Sequence, residues 1–364
     1  MPTDDLLGTL TKARPAALDP ERLAGSPRQQ ADLAAILASR HVQPAPRRRA
    51  WWIGLPVTGV AVAAAAAVVV TTMSTAPRQD TGPVVLLDMA TAIQRTPETP
   101  GTYWQTESHR GALIVVGTKA SPYVVATDEG LRSSLAVHPG GQNVEVMNIN
   151  ATTKPRTAQD KARWEAAGSP SRVPSPGNPD GPGLPLGHTG PPSGSTYRSD
   201  GTIGTIGTIV TDYDYLRHLP ATPAGLRAVF DKSEAGVIGA PSNAAQESAM
   251  LLGDATDLIT LPAPPAVRAA AYRLIAGLPG LVSLGQVTDP LGRAGVAFTD
   301  PSQPVHGIKI VMVVDPRTDS LLAIERSLVR PDAEETAAGL TANDTQAYVA
   351  YTRIGWSDRQ ISAK

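Results

Sequence analysis

The chain has 364 residues with 32 basic and 33 acidic side chains, a formal net charge of −1 at neutral pH. That balance excludes a generally basic nucleic-acid-binding surface, and no direct nucleic acid contact is expected. Cysteine is absent, which excludes disulfides, a cysteine-ligated zinc site, a thiol nucleophile and lipid attachment through a cysteine.

Residues 1–49 hold eight basic and five acidic side chains, a net charge of +3. Two short helical patterns are expected there. The first uses Leu6, Leu7 and Leu10, with Thr3 as N-cap and Asp4 and Asp5 in the first turn. The second begins at Ser26 and Pro27 and puts Leu33, Ile36 and Leu37 on one face. Two helices of this size bury too little surface to fold alone. The segment reads either as one that folds on a cytoplasmic partner or as a tail whose arginines set topology.

Residues 51–73 form an uncharged run, "WWIGLPVTGVAVAAAAAVVVTTM". As a helix it spans about 34 Å at about 1.5 Å per residue, enough for a hydrocarbon core of about 30 Å. Trp51 and Trp52 stand at the boundary as interfacial aromatics do, and Arg47, Arg48 and Arg49 precede the run. The expectation is a membrane helix over 50–74, with the N-terminus cytoplasmic and the remainder extracytoplasmic. A cleaved signal and a buried soluble helix are the rivals. Ser74, Thr75 and Ala76 resemble a cleavage site, but about 50 residues precede the run and Pro77 follows, which favours retention.

After a linker at 75–82, a domain over 83–364 is expected. It opens with an amphipathic helix at 84–95 and continues with strands at 102–110, 112–119, 123–128 and 143–149. Turns are read at Thr127, Asp128, Glu129 and Gly130, and at Pro139, Gly140 and Gly141. "AQDKARWEAA" reads as a helix. The stretch 168–206, rich in Pro, Gly and Ser, reads as a loop or disordered insertion, with "GTIGTIGTI" (201–209) too short for a repeat fold.

Three helices are then expected, the first starting at Thr222 and Pro223. In the third, Val267, Ala270, Ala271, Leu274 and Ile275 share a face. "LVSLGQVT", "RAGVAFT", "GIKIVMVV" and "SLLAIERS" follow as an antiparallel meander, and "AYVAYTRIGW" as a final strand. Together these predict an α+β fold: one transmembrane helix followed by an outer domain with a curved, largely antiparallel sheet and packed helices.

No nucleotide-binding, hydrolase or zinc-protease motif occurs, so no enzyme, catalytic residue, cofactor or metal ligand is assigned. His41, His109, His138, His188, His218 and His306 show no metal-ligand spacing. Asp212, Asp214 and His218 cluster in "TDYDYLRH" without the rest of a metal loop. Ser133, Ser134 and Ser169 lack a local activating base, and Glu325 is expected to face solvent from a strand.

The chain resembles a family of actinobacterial single-pass membrane proteins encoded beside extracytoplasmic-function sigma factors. The resemblance rests on "DDLLGTLTKARPAALDPERLAG", "RRRAWW", "TYWQTESHR" and above all "LPATPAGLRAVF", "AVRAAAYRLIAGLPGLVSLGQVTDPLGRAGVAFT" and "VVDPRTDSLLAIERSLV". It implies a membrane-anchored regulator or sensor, held in the membrane through residues 51–73, with a sigma factor as partner of residues 1–49. The chain departs from many anti-sigma domains in lacking their H-x-x-x-C-x-x-C zinc motif. The outer domain is also similar to the curved half-barrels of lipoprotein carriers. That likeness implies the alternative, a cell-envelope binding protein whose outer domain holds an apolar or lipid ligand.

Overall fold

The computed structural model describes residues 82–174, 183–188, 190–237, 241, 243–301 and 307–363. The expected cytoplasmic helices and the expected membrane helix at 50–74 lie outside the described residues. Among the described residues no helix is long and apolar enough to cross a membrane.

Helix α1 (Gly82–Arg95) buries Leu86, Met89 and Ala90 at i, i+3 and i+4 spacing. Three long strands follow, β1 (Tyr103–Thr118), β2 (Ser121–Ala136) and β3 (Gln142–Pro155). Helix α2 (Ala158–Ala166) starts with a capping box between Thr157 and Asp160. The same Asp160 carboxylate accepts the Val124 N–H at 2.8 Å, so the cap also fastens the helix to β2.

The Pro- and Gly-rich stretch is more structured than its composition predicts. It carries the two-residue strands β4 (Arg172–Val173), β5 (Leu184–Pro185) and β6 (Gly187–His188), then β7 (Ser193–Arg198), β8 (Thr202–Ile206) and β9 (Ile209–Asp212). The edge of β3 supplies the reason: β7 pairs with it from Gln142↔Arg198 to Met147↔Ser193, and backbone bonding needs no apolar side chains. Residues 175–182 within this stretch lie outside the description.

Helices α3 (Tyr213–Arg217), α4 (Pro223–Val237), α5 (Ala244–Ile259) and α6 (Pro265–Ala276) come next. Pro265 occupies the first turn of α6, where its missing N–H costs nothing. The predicted face of that helix is buried at all five positions. The meander follows as β10 (Val282–Thr288), β11 (Ala294–Thr299), β12 (Ile308–Asp315) and β13 (Ser320–Leu328). The chain closes with α7 (Ala333–Ala337) and β14 (Thr345–Ser357).

The large sheet is antiparallel, in the order β10-β11-β12-β13-β14-β1-β2-β3-β6, with β7 also on β3. The last strand therefore lies between the meander and the N-terminal hairpin and joins them. The fold is α+β with a curved antiparallel sheet and several helices.

Helices α1, α4, α5 and α6 cover one sheet face, here the inner face. Trp104, Phe298, Met312 and Val314 from strands meet Leu86, Phe230, Leu252 and Tyr272 from helices in the main core. At the far end of β1 and β2, Val116, Tyr123, Val125 and Val173 form a smaller cluster beside Trp164. The opposite, outer face of the meander buries Ala297, Val311, Val313, Ala323 and Ala350 under Leu284, Val287 and Leu291.

Three expectations at the level of elements need correction. Strands predicted at 102–110 and 112–119 are one strand, β1. The turn predicted at Thr127 to Gly130 lies in the middle of β2, because cross-strand partners hold its two acids in the sheet. Glu325, expected to face solvent, is half-buried on β13.

Candidate functional site on the outer sheet face

Strand register puts four residues in one row across the outer face. Glu325 on β13 stands opposite Tyr348 on β14, Tyr348 opposite Gly111 on β1, and Gly111 opposite Asp128 on β2. Cross-strand partners share a face, so these side chains are neighbours. Gly111 is what lets Tyr348 and Asp128, on either side of it, meet. A Cβ there would lie 2.5 Å from Tyr348 Cε1 and 2.7 Å from the Thr127 carbonyl oxygen. The tyrosine ring therefore lies over the glycine, and its hydroxyl donates to Asp128 Oδ2.

His109, two residues along β1, places Nδ1 3.5 Å from Asp128 Oδ1. Bonding to Asp128 raises the imidazole above its ordinary value, against burial and the charge of Arg293. Burial, then the bond to Asp128, holds the Tyr348 hydroxyl far above its usual range, so it remains a proton donor. Glu325 accepts from Thr345 Oγ1 at 2.9 Å. Burial raises its carboxyl too, and the charge of Asp289 adds to the effect.

Asp289 and Arg293 belong to the β10–β11 turn. Asp289 Oδ1 accepts the N–H groups of Leu291 (3.0 Å) and Arg293 (2.8 Å), while Oδ2 takes Arg293 Nε at 2.8 Å. Arg293 then donates to the Tyr351 carbonyl at 2.6 Å and the Leu322 carbonyl at 2.9 Å. Both carbonyls sit at register shifts, one where β13 meets β12 and one where β14 meets β1. A bulge interrupts the ladder and leaves a backbone group without its strand partner. One guanidinium satisfies both interruptions and pins the turn to the sheet.

No family model, curated protein or solved structure matches this chain.

The inner face of β1 to β3 carries a second polar strip between the main core and the cluster around Tyr123. Thr106 Oγ1 and Ser133 Oγ are 2.8 Å apart, and Arg110 Nε pairs with Glu129 Oε1 at 2.5 Å. Glu129 also accepts the Asn148 N–H at 3.2 Å, where Asn148 adopts a φ of 60°. Burial raises the carboxyl of Glu145 and pushes its neighbour Tyr197 up to about 12. A space of about 10 Å³ between α4 and α5, bounded by Phe230, Met250 and Leu251, holds no more than a single water.

The residues singled out in sequence are dispersed. Asp212 caps α3 through the Tyr215 N–H at 2.6 Å, and Asp214 pairs with Arg217 at 2.8 Å, so this cluster serves its own helix. Ser134 is buried against Gln105 at 3.2 Å. Among the described residues no three His, Asp or Glu side chains gather at metal-binding distance. The row from Glu325 to Asp128 escaped sequence reading, although an isolated glycine inside a strand pattern is a recognised sign of close approach.

The geometry gives a direct test. Gly111→Ala should drive Tyr348 off Asp128 and cost about 1–3 kcal/mol, the range for overpacking a filled site. Thermal unfolding reads the cost, and NMR titration of His109 reads the altered carboxylate. An unchanged melting temperature with an unchanged His109 titration would refute the arrangement.

Proposed function

We propose that this chain is a membrane-anchored regulatory or sensor protein, with residues 1–49 offered to a cytoplasmic partner and the α+β domain outside. The observation that carries this reading is the uncharged run 51–73, which stands between Arg47, Arg48 and Arg49 and a folded domain built without cysteine. The arginine asymmetry favours the orientation. The resemblance to proteins encoded beside sigma factors makes a sigma factor the partner to seek. The alternative, an apolar or lipid ligand outside, has less support. Helix side chains fill the inner face of the meander, and the strip beside it is polar.

Alkaline phosphatase fused after residue 363 should be active, and a fluorescent protein fused there should stay dark. Affinity purification from membranes should then recover a sigma factor with the full chain and lose it when residues 1–49 are removed. An inactive phosphatase fusion would overturn the topology. Recovery that does not depend on residues 1–49 would overturn the partner assignment.

A further inference from the structure

The two edges of the large sheet are unlike. At one edge, β10 is interrupted by a register shift between Ser283 and Gly285, where Gly285 adopts a φ of 76°. Such a bulge spoils an edge as a template for another strand. At the other edge, β7 pairs with β3 from Ser193 to Arg198 without a shift, and all of its residues are exposed. It contains no proline and no acid, and its one charged residue, Arg198, stands at its end. The features that guard a natural sheet edge are missing from this strand.

The turn beyond β7 shows which way its backbone points. Ser199 N–H donates to the Gly141 carbonyl at 2.8 Å, and Gly140 N–H donates to the Ser199 carbonyl at 2.8 Å. Ser199 thus faces the β3 side, and alternation along the strand turns Tyr197, Ser195 and Ser193 the same way. Gly194, Thr196 and Arg198 direct their N–H and C=O groups outward, where they have no partner among the described residues.

We propose that β7 is the strand through which two copies of this chain pair, antiparallel, with Thr196 opposite Thr196 on a two-fold axis. Two identical edges paired this way are self-complementary, so the assembly closes at two. The bonding selects the register. Outward groups must meet outward groups, and centring on Thr196 engages Gly194, Thr196 and Arg198 of both strands in about six hydrogen bonds. An axis at Ser195 or Tyr197 leaves about four. The side chains agree with this choice. Tyr197 meets the small Ser195 of the second copy on the inner face, and Arg198 meets its Gly194 on the outer face. Ala363 lies so close over Gly194 that a Cβ would have no room, and its carbonyl oxygen offers the guanidinium an acceptor. The two Arg198 side chains stand at opposite ends of the pairing, so like charges do not face each other.

The size of the edge says where the pairing holds. A strand this short covers well under the about 1,200 Å² that marks a stable complex, so free domains associate weakly. For its strength the pairing rests on the membrane-anchored reading. Copies held in one membrane meet at a high effective concentration, which supplies what the small area lacks. The anchor that brings one copy to the surface brings the other in the same orientation, and this makes a second copy the occupant of the edge.

The chain has no cysteine of its own, so a single substitution reports alone. In isolated membranes carrying the full chain, oxidation of Thr196→Cys should give a covalent dimer, because directly paired Cα atoms about 5.5 Å apart lie within disulfide reach. Val84→Cys, exposed on α1 beside the opposite sheet edge, should stay monomeric. A second variant tests the strand itself. Thr196→Pro removes only an outward N–H, so pairing with β3 and the melting temperature should hold. Energy transfer between copies labelled at Val210→Cys, exposed on the hairpin after β7, should be present without the proline and lost with it. If Thr196→Pro does not fold, the oxidation decides. A Thr196→Cys chain that stays monomeric overturns the pairing, as does an equal yield of dimer from Val84→Cys or energy transfer untouched by Thr196→Pro. Oxidation counts copies whichever way the chain faces, so failure of the pairing is distinct from failure of the topology, which the phosphatase fusion reads.

Discussion

Replacing Trp104 with alanine is expected to lower the unfolding free energy of the α+β domain by about 4–5 kcal/mol. Trp104 is 1% exposed and stands on β1 where the N-terminal hairpin meets the helical layer. Its ring meets Trp356 edge-on at 5.1 Å, and Arg268 of α6 lies 5.9 Å from its centroid. Its Nε1 donates to the Thr260 carbonyl at 2.9 Å, at the C-terminal end of α5. Alanine removes the ring contacts and leaves a cavity, and it strands a helix-end carbonyl. Trp104→Phe separates the two contributions. It keeps most of the ring volume and should cost only about 1–2 kcal/mol, chiefly the lost hydrogen bond. Urea unfolding of both variants measures this. A loss under about 2 kcal/mol for Trp104→Ala would mean that the hairpin and the helical layer are joined elsewhere.

The same residue shows where sequence reading reaches and where it stops. The apolar period of α6 and the alternation of the meander predict which residues are buried, because burial on one face is a local property of spacing. The pairing of β14 with β1 is not local. Alternation in "AYVAYTRIGW" predicts a strand and says nothing about its neighbour, so the contact between Trp104 and Trp356 has no signature in either segment. Asp128, Glu129 and Gly130 fail for a related reason. Acids beside glycine read as a turn when their partners are unseen. Yet Tyr348, which holds Asp128, lies 220 positions away, and Arg110, which holds Glu129, lies 19 away. The burial of Glu325 likewise comes from register with Tyr348 rather than from its own neighbours in the chain. Fold class was thus legible, and the candidate site was not, because every member of the row is defined by a cross-strand partner.

Raising the pH from about 4 to about 7 is expected to destabilise the domain, the reverse of the usual rise in stability as paired carboxylates ionise. Asp257 on α5 is the main cause. Burial pushes its carboxyl up to about 6, although Gly207 N–H donates to it at 3.3 Å and the charge of Arg326 favours ionisation. An unfolded aspartate titrates near about 4. With the folded value above the unfolded one, the native state holds the proton more tightly. The stabilisation is complete below about 4 and disappears as pH passes about 6. At about 1.4 kcal/mol per pH unit, the loss approaches about 3 kcal/mol. Glu145 and Glu325 are raised by burial and His109 by Asp128, so each loses stabilisation as pH rises and extends the decline toward neutrality. Asp315 has the opposite sign. Its bonds to Arg317 hold it low, and its contribution is lost only as pH falls below the ordinary aspartate range. The maximum should therefore lie at about pH 4–5, with a fall of about 6–10 °C in melting temperature by about pH 7. Asp257→Asn should flatten the curve between about pH 4 and 6, whichever way its absolute stability moves, because no proton is left to release there. A melting temperature that climbs steadily to pH 7, or a variant with the wild-type slope, would show that Asp257 is ionised in the folded domain and that Arg326 outweighs burial.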